Sequence, residues 1–239
     1  MSDLVSSIRE NYQSALDRIA AAARKSGRTP EDIRLVVVTK SQPLEIVNAA
    51  IEAGVNLFGE NYPQEGVAKI QATHHQSGVE WHMIGHVQSR KARLVAEHFE
   101  LLHSLDGLKR AKRLDRFAAD HNRVLPVLLE YNVGGEASKS GWDASDDSRW
   151  DDLLPDVRSV LDLPNLRIHG LMTMPPLGTD PEDSRRFFQR LRLLRDHLAF
   201  AFPRADWHEL SMGTSADYPV AVEEGATLVR VGTAIVGAR

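Results

Sequence analysis

The amino-acid sequence predicts an α/β protein folded as a (β/α)8 TIM barrel, with one extra helix at the N-terminus. Short apolar runs alternate along the chain with segments of helical periodicity, which indicates successive βαβ units and a parallel sheet. About eight such units fit into the 239 residues, which is the usual arithmetic of this barrel. The competing fold, an open doubly wound sheet, usually has a glycine-rich first βα turn, and the turn at 39–43 contains no glycine.

Each predicted element follows from its apolar periodicity and its flanking turn signals. The extra helix is Asp3–Lys25, which has one apolar face and is closed by Ser26-Gly27. The strands are predicted at Ile33–Thr39, Val55–Phe58, Trp81–Ile84, Leu101–Leu105, Val124–Tyr131, Leu166–Thr173, Trp207–Leu210 and Thr227–Val236. The intervening helices are predicted at Pro43–Ala53, Pro63–Gln76, Ser89–His98, Gly107–His121, Ser148–Leu161, Pro181–Phe200 and Asp217–Glu224. No linker or repeat interrupts this order, so residues 1–239 are predicted to form a single domain.

The composition is typical of a globular protein and excludes several functional classes. Hydrophobic residues make up 42% of the chain and charged residues 26%, and the net charge is -4 with both signs well mixed. No basic patch indicates a nucleic-acid partner. The chain has no cysteine, which excludes disulfides and thiolate chemistry. Without a signal-peptide core or a membrane-spanning stretch, we expect a cytoplasmic protein with no membrane partner.

Lys40 is the first candidate functional residue. It follows the apolar run 35–38 and Thr39, and Pro43 comes soon after, a pattern typical of a buried parallel strand closed by a turn. The carboxyl ends of barrel strands form the active-site face. A lysine there has its stem in a dry interior, where desolvation favours the neutral amine that forms a Schiff base with an aldehyde or ketone. The alternative is a lysine that extends its charged head into solvent.

Two pairs of small residues near the end of the chain indicate a phosphate site. Ser211 and Gly213 belong to the stretch 211–215, which opens a short predicted helix, and Gly232-Thr233 lie on the last predicted strand. Hydroxyls and free amides at a helix N-terminus bind anions, and barrels place phosphate sites after strands seven and eight. The alternative is that both pairs merely form tight turns.

Arg230 adds a charge to this face, because residues 230 and 232 point the same way on a strand. A barrel-facing arginine needs either a structural carboxylate or a ligand acceptor. Together with Lys40 and the phosphate site, it indicates a phosphorylated aldehyde. Two ligands fit: a sugar phosphate in a Schiff-base aldolase, or pyridoxal 5′-phosphate (PLP), whose pyridine nitrogen would face Arg230.

Six segments resemble one known family. They are VVVTK at 36–40, FGENYPQE at 58–65, HMIGHVQSRK at 82–91, HGLMTMPP at 169–176, LSMGTSADYPVAVEEGAT at 210–227 and VRVGTAIVG at 229–237. In this order they are similar to the pyridoxal phosphate homeostasis protein family, whose members are single-domain relatives of the barrel half of bacterial alanine racemase. The resemblance runs through nearly the whole chain.

The resemblance implies a PLP barrel of fold type III in which Lys40 carries the cofactor as an internal aldimine. The implied cofactor-binding residues are Lys40, Asn61, His86, Met172, Ser211, Gly213, Arg230, Gly232 and Thr233. The serine, the two glycines and the threonine would hold the phosphate, and the arginine would meet the pyridine nitrogen. Asn61 and His86 would line the pocket, and Met172 would lie beneath the ring. For His86, a purely structural histidine is the alternative.

The chain departs from the family pattern at two positions. The family usually has methionine at Thr214 and phenylalanine at Val236. Neither position belongs to the implied phosphate contacts, so we expect altered packing and retained binding.

The resemblance also bears on catalysis. Racemase relatives take a second base, a tyrosine, from an additional C-terminal β domain across a dimer. The sequence ends at Arg239, directly after the barrel, so we expect that domain to be missing and the protein to be a monomer. Tyr62, Tyr131 and Tyr218 are expected to be packing or surface residues.

We therefore expect a PLP-binding protein without strong catalysis, involved in intracellular homeostasis of PLP, vitamin B6 and amino acids. It could deliver PLP transiently to PLP-dependent apoenzymes. The alternative is a weak PLP-dependent amino-acid racemase or another PLP enzyme.

Overall fold

Eight parallel strands close into a barrel in the computed structural model, which describes residues 2–73, 76–176 and 178–238. The strands are β1 (Arg34–Val38), β2 (Leu57–Glu60), β3 (Glu80–Met83), β4 (Leu101–Leu105), β5 (Leu125–Asn132), β6 (Trp142–Asp143), β7 (Leu166–Met172), β8 (Glu209–Thr214) and β9 (Leu228–Val231). The barrel order is β4-β3-β2-β1-β9-β8-β7-β5, and β5 pairs with β4 to close the ring. The short β6 pairs only with β5. The predicted (β/α)8 barrel is confirmed.

Helices cover the outside of the barrel. They are α1 (Ser2–Lys25), α2 (Leu44–Glu52), α3 (Pro63–Thr73), α4 (Ala92–His98), α5 (Leu108–Asp120), α6 (Leu154–Leu161), α7 (Arg185–Ala201), α8 (Tyr218–Glu223) and α9 (Thr233–Val236). The predicted extra helix is α1, and it contacts α2, α8 and α9. Since α9 is only one turn long, α1 covers the side of the barrel that a full eighth helix would otherwise cover.

The apolar core has two layers. The outer layer lies between the strands and the helices, and the inner layer fills the barrel lumen with Val36, Leu57, Leu101, Leu128, Met172 and Leu228. β1 contributes to both layers, because Leu35 and Val37 face the helices while Val36 faces the lumen. Each fully buried aliphatic side chain stabilises the fold by roughly 1.5–3 kcal/mol. Burial on both faces explains why the run at 35–38 is apolar without alternation.

The last strand is shorter than predicted. The prediction extends from Thr227 to Val236, whereas β9 ends at Val231 and residues 233–236 form α9. Gly232 separates the two elements with φ −115° and ψ −83°. Ile235 is buried in the outer core layer, and its carbonyl oxygen accepts a hydrogen bond from α1. Tertiary packing against α1 therefore overrides the strand propensity of this apolar run.

Other boundaries shift as well. β8 runs from Glu209 to Thr214, past the predicted end at Leu210. The helices predicted from Ser89, Ser148 and Pro181 each begin with 3₁₀ turns before α4, α6 and α7. The helix predicted at Pro63–Gln76 ends at Thr73, and residues 74–75 of that prediction lie outside the described residues. In the described chain, every helix is too short or too polar to cross a membrane.

Candidate cofactor-binding site

A cavity of about 310 Å³ opens at the carboxyl ends of the barrel strands. The structure brings the predicted residues Lys40, Asn61, His86, Met172, Arg230, Gly232 and Thr233 together in its wall. Ser211 and Gly213, which were predicted with them, lie outside the lining. The size of the cavity is within the range of sites that hold small ligands.

Lys40 directly follows β1, and hydrogen bonds fix the backbone on both sides of it. Lys69 Nζ, from α3, donates to the carbonyl oxygen of Thr39 at 2.7 Å. The amide of Ser41 donates to Glu65 Oε1 at 2.6 Å, and Ser41 has a left-handed φ of 57°. The turn that presents Lys40 to the cavity is therefore held by α3.

A buried ion pair connects these contacts. Lys69 Nζ lies 2.8 Å from Glu60 Oε1 and 2.6 Å from Glu65 Oε1, and Thr39 Oγ1 donates to Glu60 Oε1 at 2.7 Å. Burial raises the pKa of Glu60, although hydrogen bonds from Lys69 and Thr39 act in the opposite direction. Removing one partner of a buried pair typically destabilises a protein by ~3–5 kcal/mol. The network that positions Lys40 is thus also important for stability.

Arg230 extends from β9 to the cavity and is only 5% exposed. Its Nη1 donates to Ser211 Oγ, and its Nη2 donates to the Thr173 carbonyl oxygen at 2.9 Å and to Met174 Sδ at 3.0 Å. Burial lowers the pKa of Arg230 to about 10, so it stays charged at neutral pH. Within the described part of the chain, Arg230 donates its hydrogen bonds to a hydroxyl, a carbonyl oxygen and a sulfur, which are all neutral. Its positive charge therefore makes this side of the cavity electropositive.

Ser211 and Gly213 lie within β8 and support the cavity from behind. The Ser211 hydroxyl is fully buried between Arg230 and His103. Gly213 has φ +90°, and a Cβ there would lie 2.6 Å from the Cβ of Ala221 in α8. The absence of a side chain therefore lets α8 pack closely against the end of β8.

The hydroxyl side of the cavity is formed by Thr214 and Ser215 together with Thr233. Ser215 Oγ accepts a hydrogen bond from the Gly232 amide at 3.3 Å. The amide and the hydroxyl of Thr214 donate to Asp217 Oδ1 at 2.7 and 3.1 Å, which fixes the turn. Thr214 and Ser215 belong to the predicted anion-binding stretch 211–215, although only Ser211 and Gly213 of that stretch were predicted to contact the cofactor. The family-atypical Thr214 proves to lie on the cavity wall.

Asn61 follows β2 and presents an unmet hydrogen-bonding group. Its Oδ1 atom is buried and has no hydrogen-bond partner among residues 2–73, 76–176 and 178–238. Gly85 packs against its backbone so closely that a Cβ there would lie 2.4 Å from the Asn61 carbonyl oxygen. An unpaired buried polar atom is energetically unfavourable, and the side-chain amide of Asn61 is therefore incompletely hydrogen-bonded where this residue lines the cavity.

His86 lies at the rim of the cavity, where its side chain is 51% exposed. Its Nδ1 is 3.1 Å from Asp106, and its Nε2 is 3.2 Å from Arg110 Nη2. Desolvation and the neighbouring Arg110 charge lower the pKa of His86. The ring is therefore neutral at pH 7 and held towards the start of α5.

Glu130 of β5 also lines the cavity and was not selected from the sequence. It is 8% exposed. Burial raises the pKa of Glu130, while the charges of Arg230, Arg110 and Lys139 oppose that rise. The sequence does place Glu130 near the carboxyl end of the predicted strand at 124–131, which is the active-site end of a barrel strand. A single carboxylate forms no spacing pattern with other residues, however, so this position alone did not indicate a site residue.

Comparisons with known proteins decide the family. The model for the N-terminal domain of alanine racemase matches residues 9–239. The pyridoxal phosphate homeostasis protein of Vibrio alginolyticus is 43% identical over 238 residues, which cover 98% of this chain and 99% of that protein. The chain belongs to the pyridoxal phosphate homeostasis protein family. The recognition made from the sequence motifs is therefore confirmed.

Solved structures of this family and of racemases have the same barrel. PipY of Synechococcus elongatus, solved with PLP bound, is 35% identical and superposes with a TM-score of 0.79 over 92% of this chain and 100% of its own. An alanine racemase from Clostridium difficile superposes with a TM-score of 0.72 at 14% identity, over 96% of this chain and 56% of its own. The second likeness concerns the fold alone, and it confirms that this chain has an alanine racemase-like barrel.

Proposed function

We propose that this protein binds PLP in the cavity of its barrel and serves the intracellular homeostasis of PLP, vitamin B6 and amino acids. The observation that carries the proposal is the convergence of Lys40, Ser215 and Arg230 on one cavity. They offer an amine, a hydroxyl and a cation to a ligand that has an aldehyde, a phosphate and a pyridine nitrogen. The proposal is supported by PipY, which is 35% identical and holds PLP in its solved structure.

Lys40 is proposed to hold the aldehyde end of the ligand. Lys40 would hold the ligand through its side-chain amine, which is the nucleophile that a Schiff base with an aldehyde requires. The cofactor supplies the electrophilic carbonyl and the conjugated ring. Asn61 lines the same cavity, and its side-chain amide is proposed as a polar contact for the ligand.

Ser215, Thr233 and the backbone at Gly232 are proposed to hold the phosphate. Hydroxyls and amides are good donors to a phosphate oxygen. A Cβ at Gly232 would lie 3.0 Å from the Val38 carbonyl oxygen, so a larger residue would press on the end of β1. Ser211 and Gly213 would then contribute indirectly, through Arg230 and through the packing of α8.

Arg230 is proposed to face the pyridine nitrogen. A carboxylate there would keep the nitrogen protonated and make the ring a strong electron sink, whereas a fixed positive charge disfavours that proton. A carbanion on the ligand would then be poorly stabilised. This favours binding, or at most restrained racemisation, over transamination.

A specific feature of the cavity argues further against two-base racemisation. Within the described residues, no tyrosine lines the cavity: Tyr62 is 53% exposed, and Tyr131 and Tyr218 are each 1% exposed.

Glu130 supports the second candidate function, a weak PLP enzyme. Its carboxyl group lines the cavity and has a raised pKa, so it can exchange a proton with a ligand.

Borohydride reduction of the PLP-loaded protein tests the first proposal. We expect a visible absorption band before reduction and a reduced pyridoxyl adduct on the peptide that contains Lys40 afterwards. Lys40→Ala should lose both, whereas Lys109→Ala, on the exposed face of α5, should retain both. A wild-type protein that forms no adduct with PLP would contradict the proposal, and an adduct with a sugar phosphate instead would favour an aldolase.

Deuterium exchange at the α-carbon separates the carrier from the enzyme. We expect exchange far below ~1 s⁻¹, the low end for ordinary enzymes, across a panel of amino acids. Exchange at that rate, abolished by Glu130→Gln, would establish the weak enzyme instead.

The proposal has three further parts. The protein is a monomer, it is located in the cytoplasm, and it transfers PLP to PLP-dependent apoenzymes.

A further inference from the structure

A chain of hydrogen bonds crosses the barrel lumen from the amino ends of the strands to the cavity. Glu80 Oε1 lies 2.6 Å from His82 Nε2, and His82 Nδ1 lies 2.9 Å from His103 Nε2. His103 Nδ1 lies 2.8 Å from Ser211 Oγ, which in turn accepts from Arg230 Nη1. We call these five residues the lumen relay, and they join β3, β4, β8 and β9.

The interior of the lumen relay is fully enclosed. His82, His103 and Ser211 are each 0% exposed. They lie among the apolar side chains that fill the lumen, where an unpaired polar group is strongly unfavourable and a hydrogen bond is electrostatically strong. At the outer end, Arg34 Nη2 donates to Glu80 Oε2 at 2.6 Å. Each polar side chain along the path therefore has a partner on both sides.

The two ends of the lumen relay determine the direction of every hydrogen bond in it. An ionised Glu80 only accepts, so His82 Nε2 must carry the proton and, in the neutral ring, Nδ1 must accept. His103 Nε2 then donates to His82, and His103 Nδ1 accepts from the Ser211 hydroxyl. The Ser211 oxygen is left to accept from Arg230, which can only donate. All donors thus point from the cavity towards Glu80.

The charges around the two histidines agree with this assignment. His82 faces Glu80, Arg34 and Glu209, and burial lowers its pKa. His103 faces His82, Arg230 and Arg34, and burial lowers its pKa well below the usual range. The hydrogen bond from His82 is the main reason that the pKa of Glu80 falls to about 2, so the carboxylate stays ionised. Both rings are therefore neutral at pH 7, as the direction of the bonds requires.

We propose that His103 is a positioning residue for the cofactor site: through Ser211 it holds the Arg230 guanidinium in place, and Glu80 at the far end of the barrel sets the orientation of the whole lumen relay. The role of Arg230 towards a ligand ring rests on the proposed PLP function. The tautomers of the histidines do not, because they belong to the protein alone.

The first test is made on the cofactor-free protein with ¹⁵N-labelled histidine. We expect nuclear magnetic resonance to show both rings neutral with the proton on Nε2 at pH 7. Ser211→Ala should change the Nδ1 shift of His103, because that atom loses its donor. A proton on His103 Nδ1, or a charged His103 ring at pH 7, would overturn the lumen relay whatever the protein binds.

The second test is made on the PLP-loaded protein. Ser211→Ala removes one hydroxyl and His103→Leu removes both bonds of the ring, and each should weaken PLP binding roughly tenfold by loosening a charge-assisted contact. Each should also shift the pH midpoint of the visible band, because Arg230 is no longer held. His103→Asn, which can still accept from Ser211, should restore the midpoint towards wild type.

His121→Leu, at a half-buried histidine directly after α5 and outside the barrel lumen, is the matched control and should leave affinity and midpoint unchanged. If the His103 and Ser211 variants form the visible band with wild-type midpoint and affinity, the positioning role is wrong although PLP binding stands. If wild type forms no band, the PLP proposal fails while the tautomer test still decides the lumen relay. Should His103→Leu fail to fold, Ser211→Ala alone decides the second test.

Discussion

Ser215 and Ser211 are four residues apart and occupy different environments. Ser215 lines the cavity and bonds the Gly232 amide, whereas Ser211 is buried behind the wall and bonds Arg230. The two serines are therefore expected to act on opposite ends of the ligand. A ligand that lacks the phosphate separates the two roles.

Ser215→Ala is expected to weaken binding of PLP by about tenfold, which corresponds to ~1.4 kcal/mol and is typical of a lost hydrogen bond to a charged group. Binding of pyridoxal, which has the same aldehyde and ring but no phosphate, should hardly change. Ser211→Ala should weaken both ligands alike, since it acts through Arg230. Titration of the visible absorbance with each ligand measures this, and equal losses for Ser215→Ala would contradict the phosphate assignment.

Local sequence predicted some site residues and missed others for a physical reason. Lys40 was recognisable because a buried strand and its turn are local features. Arg230 was placed correctly by strand alternation. Ser215 lay in the predicted anion-binding stretch 211–215, but Ser211 and Gly213 were predicted to contact the ligand in its place. The end of β8 is decided by pairing with β7 and β9, which involves residues far away in sequence. Asn61 and His86 came from the family resemblance and not from any local pattern.

At the scale of elements, the junction between β8 and α8 depends on Gly213. Its φ of +90° is left-handed, and its neighbours leave no room for a side chain: Ala221 Cβ would be 2.6 Å and Tyr218 Cα 2.9 Å from an added Cβ. The junction carries Thr214 and Ser215 into the cavity. The packing of a short helix is thereby linked to the shape of the site.

Gly213→Ala is expected to lower the free energy of unfolding by roughly 2–4 kcal/mol, because it combines backbone strain with a clash. Gly54→Ala is the matched control, since Gly54 has φ +102° and no atom within 4 Å of an added Cβ. It should lose only the strain component, about 1 kcal/mol. Urea denaturation of both variants measures the difference, and equal losses would show that contact with α8 is unimportant.

The elements themselves were predictable where propensity and packing agree. Strands such as Leu101–Leu105 were located correctly because their apolar runs are short and bounded by turn signals. Residues 233–236 were predicted as strand because they continue an apolar run, but burial against α1 makes them helical. A contact between the two ends of the chain leaves no trace in a local window.

At the scale of the whole molecule, the barrel has an apolar lumen crossed by a polar path. The alternation of strands and helices predicted the barrel, but not the path. The lumen relay depends on the register of β3, β4 and β8. This register places His82, His103 and Ser211 at levels along the barrel axis where their side chains can form hydrogen bonds. In the sequence these residues are isolated polar positions in apolar strands.

The enclosed histidines predict a loss of stability in mild acid. The pKa values of His82, His103, His86 and His169 are lowered in the folded state, chiefly by burial, whereas that of His208 is raised. Groups with a lowered pKa stabilise the fold above the ordinary histidine value of 6.5, and this contribution is lost as the pH falls below it. His208 and the buried carboxyls of Glu60, Glu100 and Glu130, whose pKa values are raised, contribute in the opposite direction, and the two fully enclosed rings of His82 and His103 are expected to dominate. We therefore expect the free energy of unfolding to fall between pH 7 and pH 5.

Urea denaturation across this pH range measures the slope. His103→Asn should make it shallower, because one enclosed ring no longer takes up a proton on unfolding. A wild-type stability that is level or rises towards pH 5 would contradict the neutral, buried state of these rings.

The double attachment of the turn around Lys40 has a consequence for repeated use of the site. Lys69 anchors the carbonyl before it and Glu65 anchors the amide after it. Capture and release of a ligand can then be confined to rotations about the four methylene groups of one side chain, with no main-chain rearrangement. Repeated binding and release of a ligand benefits from such an arrangement, because the ligand-free and ligand-bound forms share one main-chain conformation. Each cycle then starts from the same geometry.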